Sequence, residues 1–134
     1  MPFLLDTNAC VEYLRGRSAL LVQRIAARSV TELRLCSVVK AELYFGAYRS
    51  AQAQSNLAKV NAFVQQFLSL PFDDAAADAY GRIRADLTAK GTPIGSNDYL
   101  IAAIAVAHGV TLVSHNVRDF SRVAGLTVED WEVP

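Results

Sequence analysis

The sequence predicts an α/β fold: a three-layer α/β/α sandwich with a mostly parallel central sheet. Three observations lead there. Short, wholly apolar runs such as Phe3-Leu4-Leu5 suit strands buried on both faces. Longer amphipathic stretches separate these runs, so strands and helices alternate along the chain. The 134 residues, 52% hydrophobic and 19% charged, match one domain (residues 1–134) with a sizeable core.

The elements follow in order. After the strand at Phe3–Leu5, Thr7 and Asn8 offer caps to a helix over about residues 8–16, stopped at Gly16. A second helix, about 18–29, carries Leu20, Leu21, Ile25 and Ala26 at core spacing. Leu33-Arg34-Leu35-Cys36 reads as a strand, and Ser37 as the cap of a helix reaching Arg49. Residues 51–68 form a long amphipathic helix through Leu57, Val60, Phe63, Val64 and Phe67. Leu70-Pro71-Phe72 is strand-like, and Pro71 assigns it to an edge because proline has no N–H for the ladder. Asp73 or Asp74 caps a helix ending near Lys90-Gly91, and Ser96 caps another over 97–108, closed by Gly109. Val110 to Ser114 is the clearest strand, and Leu126-Thr127-Val128 a last one before Trp131.

Thirteen Lys and Arg balance thirteen Asp and Glu, so no global basic field announces a nucleic-acid partner. The balance hides unlike halves. Residues 1–60 hold eight basic against four acidic groups, and the remainder five against nine. Ten of the thirteen cations are Arg, suited to bidentate phosphate contacts, which leaves room for a local phosphate-binding surface. Cys10 and Cys36 read as small buried hydrophobes in a reducing compartment. No apolar run approaches the roughly 18 residues that span a bilayer. The start meets Asp6 at once and lacks the basic region of a signal peptide, so a cytoplasmic protein without membrane association is expected.

In parallel sheets, ligands bind beyond the carboxyl ends of the strands. Four acids fall there. Asp6 directly follows the first strand, and Glu42 lies just over one turn into the helix after the second. Asp98 sits in the first turn of the helix at Ser96, and Asp119 five residues past the strand ending at Ser114. Each has a plainer reading. Asp98 suits a helix N-terminus through the dipole, and Asp119 suits the turn before Phe120. Glu42 resists one, because Val38, Val39, Ala41 and Phe45 around it suggest a buried face. Asp6 resists too, since a carboxylate ending an apolar strand is costly to desolvate unless paired. Converging carboxylates repel, and a hard divalent cation, Mg²⁺ or Mn²⁺, resolves the repulsion while activating water for displacement at phosphorus.

The words around these acids carry a resemblance. Leu4-Leu5-Asp6-Thr7-Asn8 and Ser37-Val38-Val39-Lys40-Ala41-Glu42-Leu43-Tyr44-Phe45-Gly46-Ala47 resemble the opening motifs of PIN-domain ribonucleases. Pro93 to Ala103 and Leu112 to Phe120 resemble the third and fourth motifs, and Gly125 to Trp131 the closing strand. Four ordered motifs span nearly the whole chain, most similar to the VapC toxins of bacterial toxin–antitoxin pairs. The resemblance implies Mg²⁺- or Mn²⁺-dependent cleavage of RNA, at a tRNA or ribosomal RNA loop. It makes Asp6, Glu42, Asp98 and Asp119 the catalytic and metal-binding quartet, with Asn116 sharing the fourth position. Thr7 and Ser114 become hydroxyls that orient the ligands. A cognate VapB-like antitoxin, an RNA substrate and a homodimer are the implied partners.

Arg15, Arg17, Arg49, Arg118 and Arg122 flank this region as candidates for RNA phosphates, with solvated surface arginine as an equal reading. His108 suits a helix end, His115 is expected to be solvent-exposed, and Tyr44 and Tyr48 to pack rather than stack on bases. Two His and two Cys do not favour a His/Cys zinc site. Three other readings stand beside the toxin. An Asp6-nucleophile phosphotransfer domain wants a second acid where Asn8 stands, or a late lysine where none follows Lys90. A non-enzymatic interaction module leaves Glu42 unexplained. A housekeeping PIN nuclease fits the same residues.

Overall fold

A computed structural model describes residues 2–134. Five strands run parallel in one sheet: β1 (Phe3–Leu5), β2 (Leu33–Cys36), β3 (Leu68–Leu70), β4 (Thr111–Val113) and β5 (Val128–Glu129), in the order β3-β2-β1-β4-β5. Every residue of β1 and β4 is buried, so both faces of the sheet centre are covered by helices. The helices are α1 (Thr7–Arg15), α2 (Ala19–Ala26), α3 (Ser37–Tyr48), α4 (Ala53–Val64), α5 (Asp74–Ala89), α6 (Ser96–His108) and a short α7 (Val117–Phe120). α5 packs chiefly on α6, and α3 on α4. Leu4, Leu5, Leu35 and Leu112 are fully enclosed between the layers, and Cys10 and Cys36 are free thiols buried among them.

The expected alternation holds, and the differences lie at element ends. Asp6, rather than Thr7 or Asn8, caps α1, its carboxylate accepting from the Ala9 amide at 2.8 Å. Cys36 and Gly95, neither with a side-chain cap bond, hold the cap positions ahead of Ser37 and Ser96. The reason is shared for Asp6 and Cys36. There the strand passes straight into the helix, so the cap falls on the last extended residue. Asp73 caps α5 as expected, accepting from Ala76 N–H at 2.9 Å, and Gly16 and Gly109 end α1 and α6 in the left-handed region that glycine enters freely.

α4 stops at Val64 instead of residue 68, because β3 takes Leu68–Leu70 as the edge strand. Pro71 lies just beyond it, where no ladder N–H is required. α2 stops at Ala26, and a single 3-10 turn, Val30–Glu32, leads into β2. The last strand sits at Val128–Glu129 rather than 126–128, its register set by pairing Leu112 with Val128 and Val113 with Glu129.

The strand order decides where a site forms. The chain steps outward from β1 to β2 to β3, then returns to lay β4 and β5 on the other side of β1. The reversal falls between β1 and β4, at whose carboxyl ends Asp6 and Ser114 stand side by side. Asp6 N–H donates to Val113 O at 3.1 Å. That crevice is where open α/β sheets bind ligands.

Candidate active site

Asp6 sits at the floor of the crevice, 5% exposed. Burial pushes its carboxyl up to about 6, and the charges of Asp98 and Glu132 push the same way. The Ser114 hydroxyl and the Ala9 amide work against this, favouring the ionised form. Asp98, half-buried in the first turn of α6, is raised above the usual carboxylate range by burial, then by Glu42 and Asp119. Asp98 is therefore the hub, feeling Glu42 and Asp119 and being felt by Asp6.

Each outer acid is held by a neighbour. The Thr7 hydroxyl donates to Glu42 Oε1 at 2.5 Å, joining α1 to α3. Asn116 Nδ2 donates to Asp119 Oδ2 at 3.2 Å, while Arg122 lies 3.5 Å from Asp119 Oδ1. The fully buried Ser114 accepts the Asn116 amide at 2.9 Å, anchoring the turn into α7. The charge of Asp98 is thus coupled to those of Asp6, Glu42 and Asp119, while Thr7, Ser114 and Asn116 hydrogen-bond beside them. No three of the four acids bring an oxygen each to within 4.8 Å of one another.

Among the described residues, the triad that does close to that distance is His115, Asp130 and Glu132, and the charge of Glu132 reaches Asp6. His115 is exposed as expected, but its Nδ1 lies 2.9 Å from Asp130 Oδ2, and Asp130 and Glu132 raise its pKa. Nothing in the sequence pairs residues 15 apart in this way. β5 beside β4 does, through Ser114 N–H donating to Glu129 O at 3.0 Å.

From Glu42 a groove of about 1220 Å³ runs between α1, α3 and α4, with Arg15, Arg17, Arg49 and Lys59 among its lining. Arg17 is bound to Glu12, and Arg122 to Asp119, so these two candidate cations are already engaged. Phe45 corrects the sequence reading. It is 66% exposed in the groove, because α3 buries the four-spaced stripe Val39, Leu43 and Ala47 instead. Tyr48 is likewise exposed, while Tyr44 donates to Asn61 Oδ1 at 3.0 Å.

A five-stranded parallel sheet of this order, carrying acids at its central crevice, defines the class of PIN-domain proteins, and a family model described as PIN domain matches residues 3–126. Within that class the chain belongs to the VapC ribonuclease family and is a nuclease. It is 38% identical to the tRNA(fMet)-specific endonuclease VapC of Shigella flexneri and 36% identical to that of Salmonella typhimurium, each match covering 98% of both chains. Its fold superposes on the DNA-bound VapBC structure from Salmonella typhimurium with TM-score 0.92 at 35% identity, over 98% of both chains. VapBC2 from Rickettsia felis, bound to a DNA fragment from their promoter, gives TM-score 0.91 at 32% identity, over 98% of this chain and 99% of that one.

Proposed function

We propose that this chain is the toxin of a VapBC-type pair, an endoribonuclease that uses Mg²⁺ or Mn²⁺ to hydrolyse a phosphodiester bond of tRNA or ribosomal RNA. The carrying observation is Asp98, which feels both Glu42 and Asp119 and adds its charge to buried Asp6. The donor set fits a hard divalent cation. All four donors are carboxylates, and two have raised pKa values that a nearby cation would relieve. Their spread suits an ion that keeps several of its waters. Such an ion supplies an activated water and neutralises charge developing on the phosphate.

The protein's own part is positioning. Thr7 fixes the carboxylate of Glu42, and Asn116 that of Asp119. Asp6 serves as a ligand when ionised, a form that burial disfavours in the metal-free protein and that a bound cation would favour. The cationic lining beside Glu42, Arg15 and Arg49, supplies contacts to phosphates. Relatives of this chain were solved as VapBC pairs, which supports an antitoxin for this chain as well. Its basic side chain entering the crevice would neutralise the acids and compete with the cation.

The test is cleavage of total tRNA and ribosomal RNA by the purified chain. Cleavage with Mg²⁺ or Mn²⁺, none in EDTA, and loss in a folded Asp98→Asn variant are expected. Undiminished cleavage in EDTA or by Asp98→Asn overturns the metal role. Growth arrest on expression, relieved by the adjacent gene, is expected of a toxin; harmless expression of active protein points to a housekeeping nuclease.

A further inference from the structure

The groove that leaves the acids has one feature the hydrolytic chemistry does not use: an exposed phenylalanine. Glu42 and Phe45 on α3, and Arg49, which caps its C-terminus in helical conformation, stand at spacings of three and seven residues, so they share one helix face within about 60°. At a rise of about 1.5 Å per residue, Phe45 lies about 4.5 Å and Arg49 about 10.5 Å along the axis from Glu42. The Arg49 guanidinium carbon sits 5.3 Å from the Phe45 ring centroid. Gly46 lines the same groove, and a Cβ there would meet no atom within 4 Å, so the floor beside Phe45 is open.

Cations border this stripe on both sides, Arg15 from α1 and Lys59 from α4. Among the described residues, Arg15, Arg49 and Lys59 form no ion pair. An exposed aromatic ring within a cationic groove is the arrangement that binds single-stranded nucleic acid. The ring stacks a base, and the cations track the backbone. RNA loops offer such unstacked bases.

We propose that the α3 face of Glu42, Phe45 and Arg49 is the track that lays single-stranded RNA into the acidic crevice. Phe45 is the stacking platform for one unstacked base, and Arg15, Arg49 and Lys59 contact its flanking phosphates. This rests on the ribonuclease reading and adds a substrate-binding residue to it. Charge complementarity selects the occupant: three unpaired cations, leading to carboxylates placed for phosphodiester chemistry, suit a polyanion. Phe45 touches a base and not the scissile bond, so its loss weakens binding and leaves the chemical step alone.

The experiment measures fluorescence anisotropy of a labelled eight-nucleotide uridine RNA on the full chain carrying Asp98→Asn, which halts turnover. Adding Phe45→Ala should weaken binding about tenfold to a hundredfold, and Phe45→Trp should restore it. Abasic nucleotides, placed one at a time along the RNA, should reproduce the loss at a single position. Phe45→Ala should add nothing at that position. Arg49→Ala and Lys59→Ala should each lower the salt slope of binding by about 0.7. In the otherwise unaltered chain, Phe45→Ala should raise KM and keep kcat. Thermal melts unchanged by Phe45→Ala exclude misfolding as the cause.

Affinity that ignores Phe45 in a chain that cuts RNA overturns the track and leaves the ribonuclease reading intact. Phe45-dependent binding by a chain that cuts no RNA supports the track and overturns that reading. RNA affinity unchanged by Phe45→Ala, with loss of a co-expressed partner protein instead, gives the groove to the partner and overturns the proposal.

Discussion

Thr7 donates its hydroxyl to Glu42 at 2.5 Å, a bond between the first residue of α1 and the second turn of α3. It spans 35 residues of sequence and joins the β1 and β2 halves of the acidic crevice directly, side chain to side chain. Thr7→Val keeps the shape and removes the donor, so Glu42 turns free. Cleavage should fall roughly tenfold to a hundredfold, with stability lowered by about 1 kcal/mol, while Thr7→Ser retains most of both. Initial rates on a defined RNA, beside urea melts, check this. Equal rates for Thr7→Val and the parent would mean that Glu42 needs no holding.

The raised carboxyl of Asp6 makes the metal-free protein sensitive to pH. Its folded value, about 6, lies above the ordinary 3.8, so the folded state binds the extra proton. The stabilisation is full below the ordinary value and is lost as pH rises through 6. Raised Asp98 acts in the same direction. In EDTA the protein should lose about 1 kcal/mol of stability between pH 5 and pH 7.5 from Asp6. Denaturant melts across that window measure it. Stability that climbs over the same range would contradict the buried, repelled state of Asp6.

Neutralising Asp98 relieves part of that repulsion. In EDTA at neutral pH, Asp98→Asn should therefore be as stable as the parent or more so. Mg²⁺ should stabilise the parent by about 2.7 kcal/mol at a hundred times its Kd, and Asp98→Asn much less. Thermal melts of both proteins, with and without Mg²⁺, decide the matter. Equal Mg²⁺ shifts would make Asp98 a structural helix-start residue and nothing more.

The chain's C-terminal stretch is held by two arginines. Arg28 lies 4.3 Å from the Phe3 ring centroid and 4.8 Å from that of Trp131, while Arg24 donates to Val133 O at 2.8 Å. Phe3 and Trp131 themselves meet edge to face at 5.0 Å. Arg28→Ala removes the stacked cation and its packed stem, and should cost about 1–2 kcal/mol. It should also red-shift the fluorescence of Trp131, which is otherwise buried. An unshifted spectrum and melt would show that the Phe3–Trp131 contact suffices alone.

Much of this was legible in the residues. A wholly apolar run too short for a helix marked β1, since a strand covered on both faces needs no alternation, and short, largely apolar runs marked β2 and β4. Core spacing placed α2 and α4, cap residues placed α3, α5 and α6, and glycines marked the ends of α1 and α6. The positions of Asp6, Glu42, Asp98 and Asp119 after those strands were visible for the same reason. Helix starts were misplaced by a residue because strand and helix share one residue at each passage, and hydroxyl-bearing neighbours looked like better caps than Asp6 or Cys36. Phe45 was misread from its apolar neighbours, although the four-residue spacing of Val39, Leu43 and Ala47 already pointed it outward.

Local pattern by itself determined the element types, the parallel sheet and the four acids that follow its strands, because side-chain period and turn chemistry act over a few residues. Only the tertiary structure decided how those acids relate. The return of β4 to the side of β1 brings Ser114 to Asp6, and β5 beside β4 brings Asp130 to His115. Packing of α1 on α3 joins Thr7 to Glu42 and opens the cationic groove around Phe45. Such contacts depend on strand order and helix packing, which are settled by burial of the whole core rather than by any stretch of chain. The pKa of Asp6 follows from that burial, so it too belongs to the fold and not to the residue.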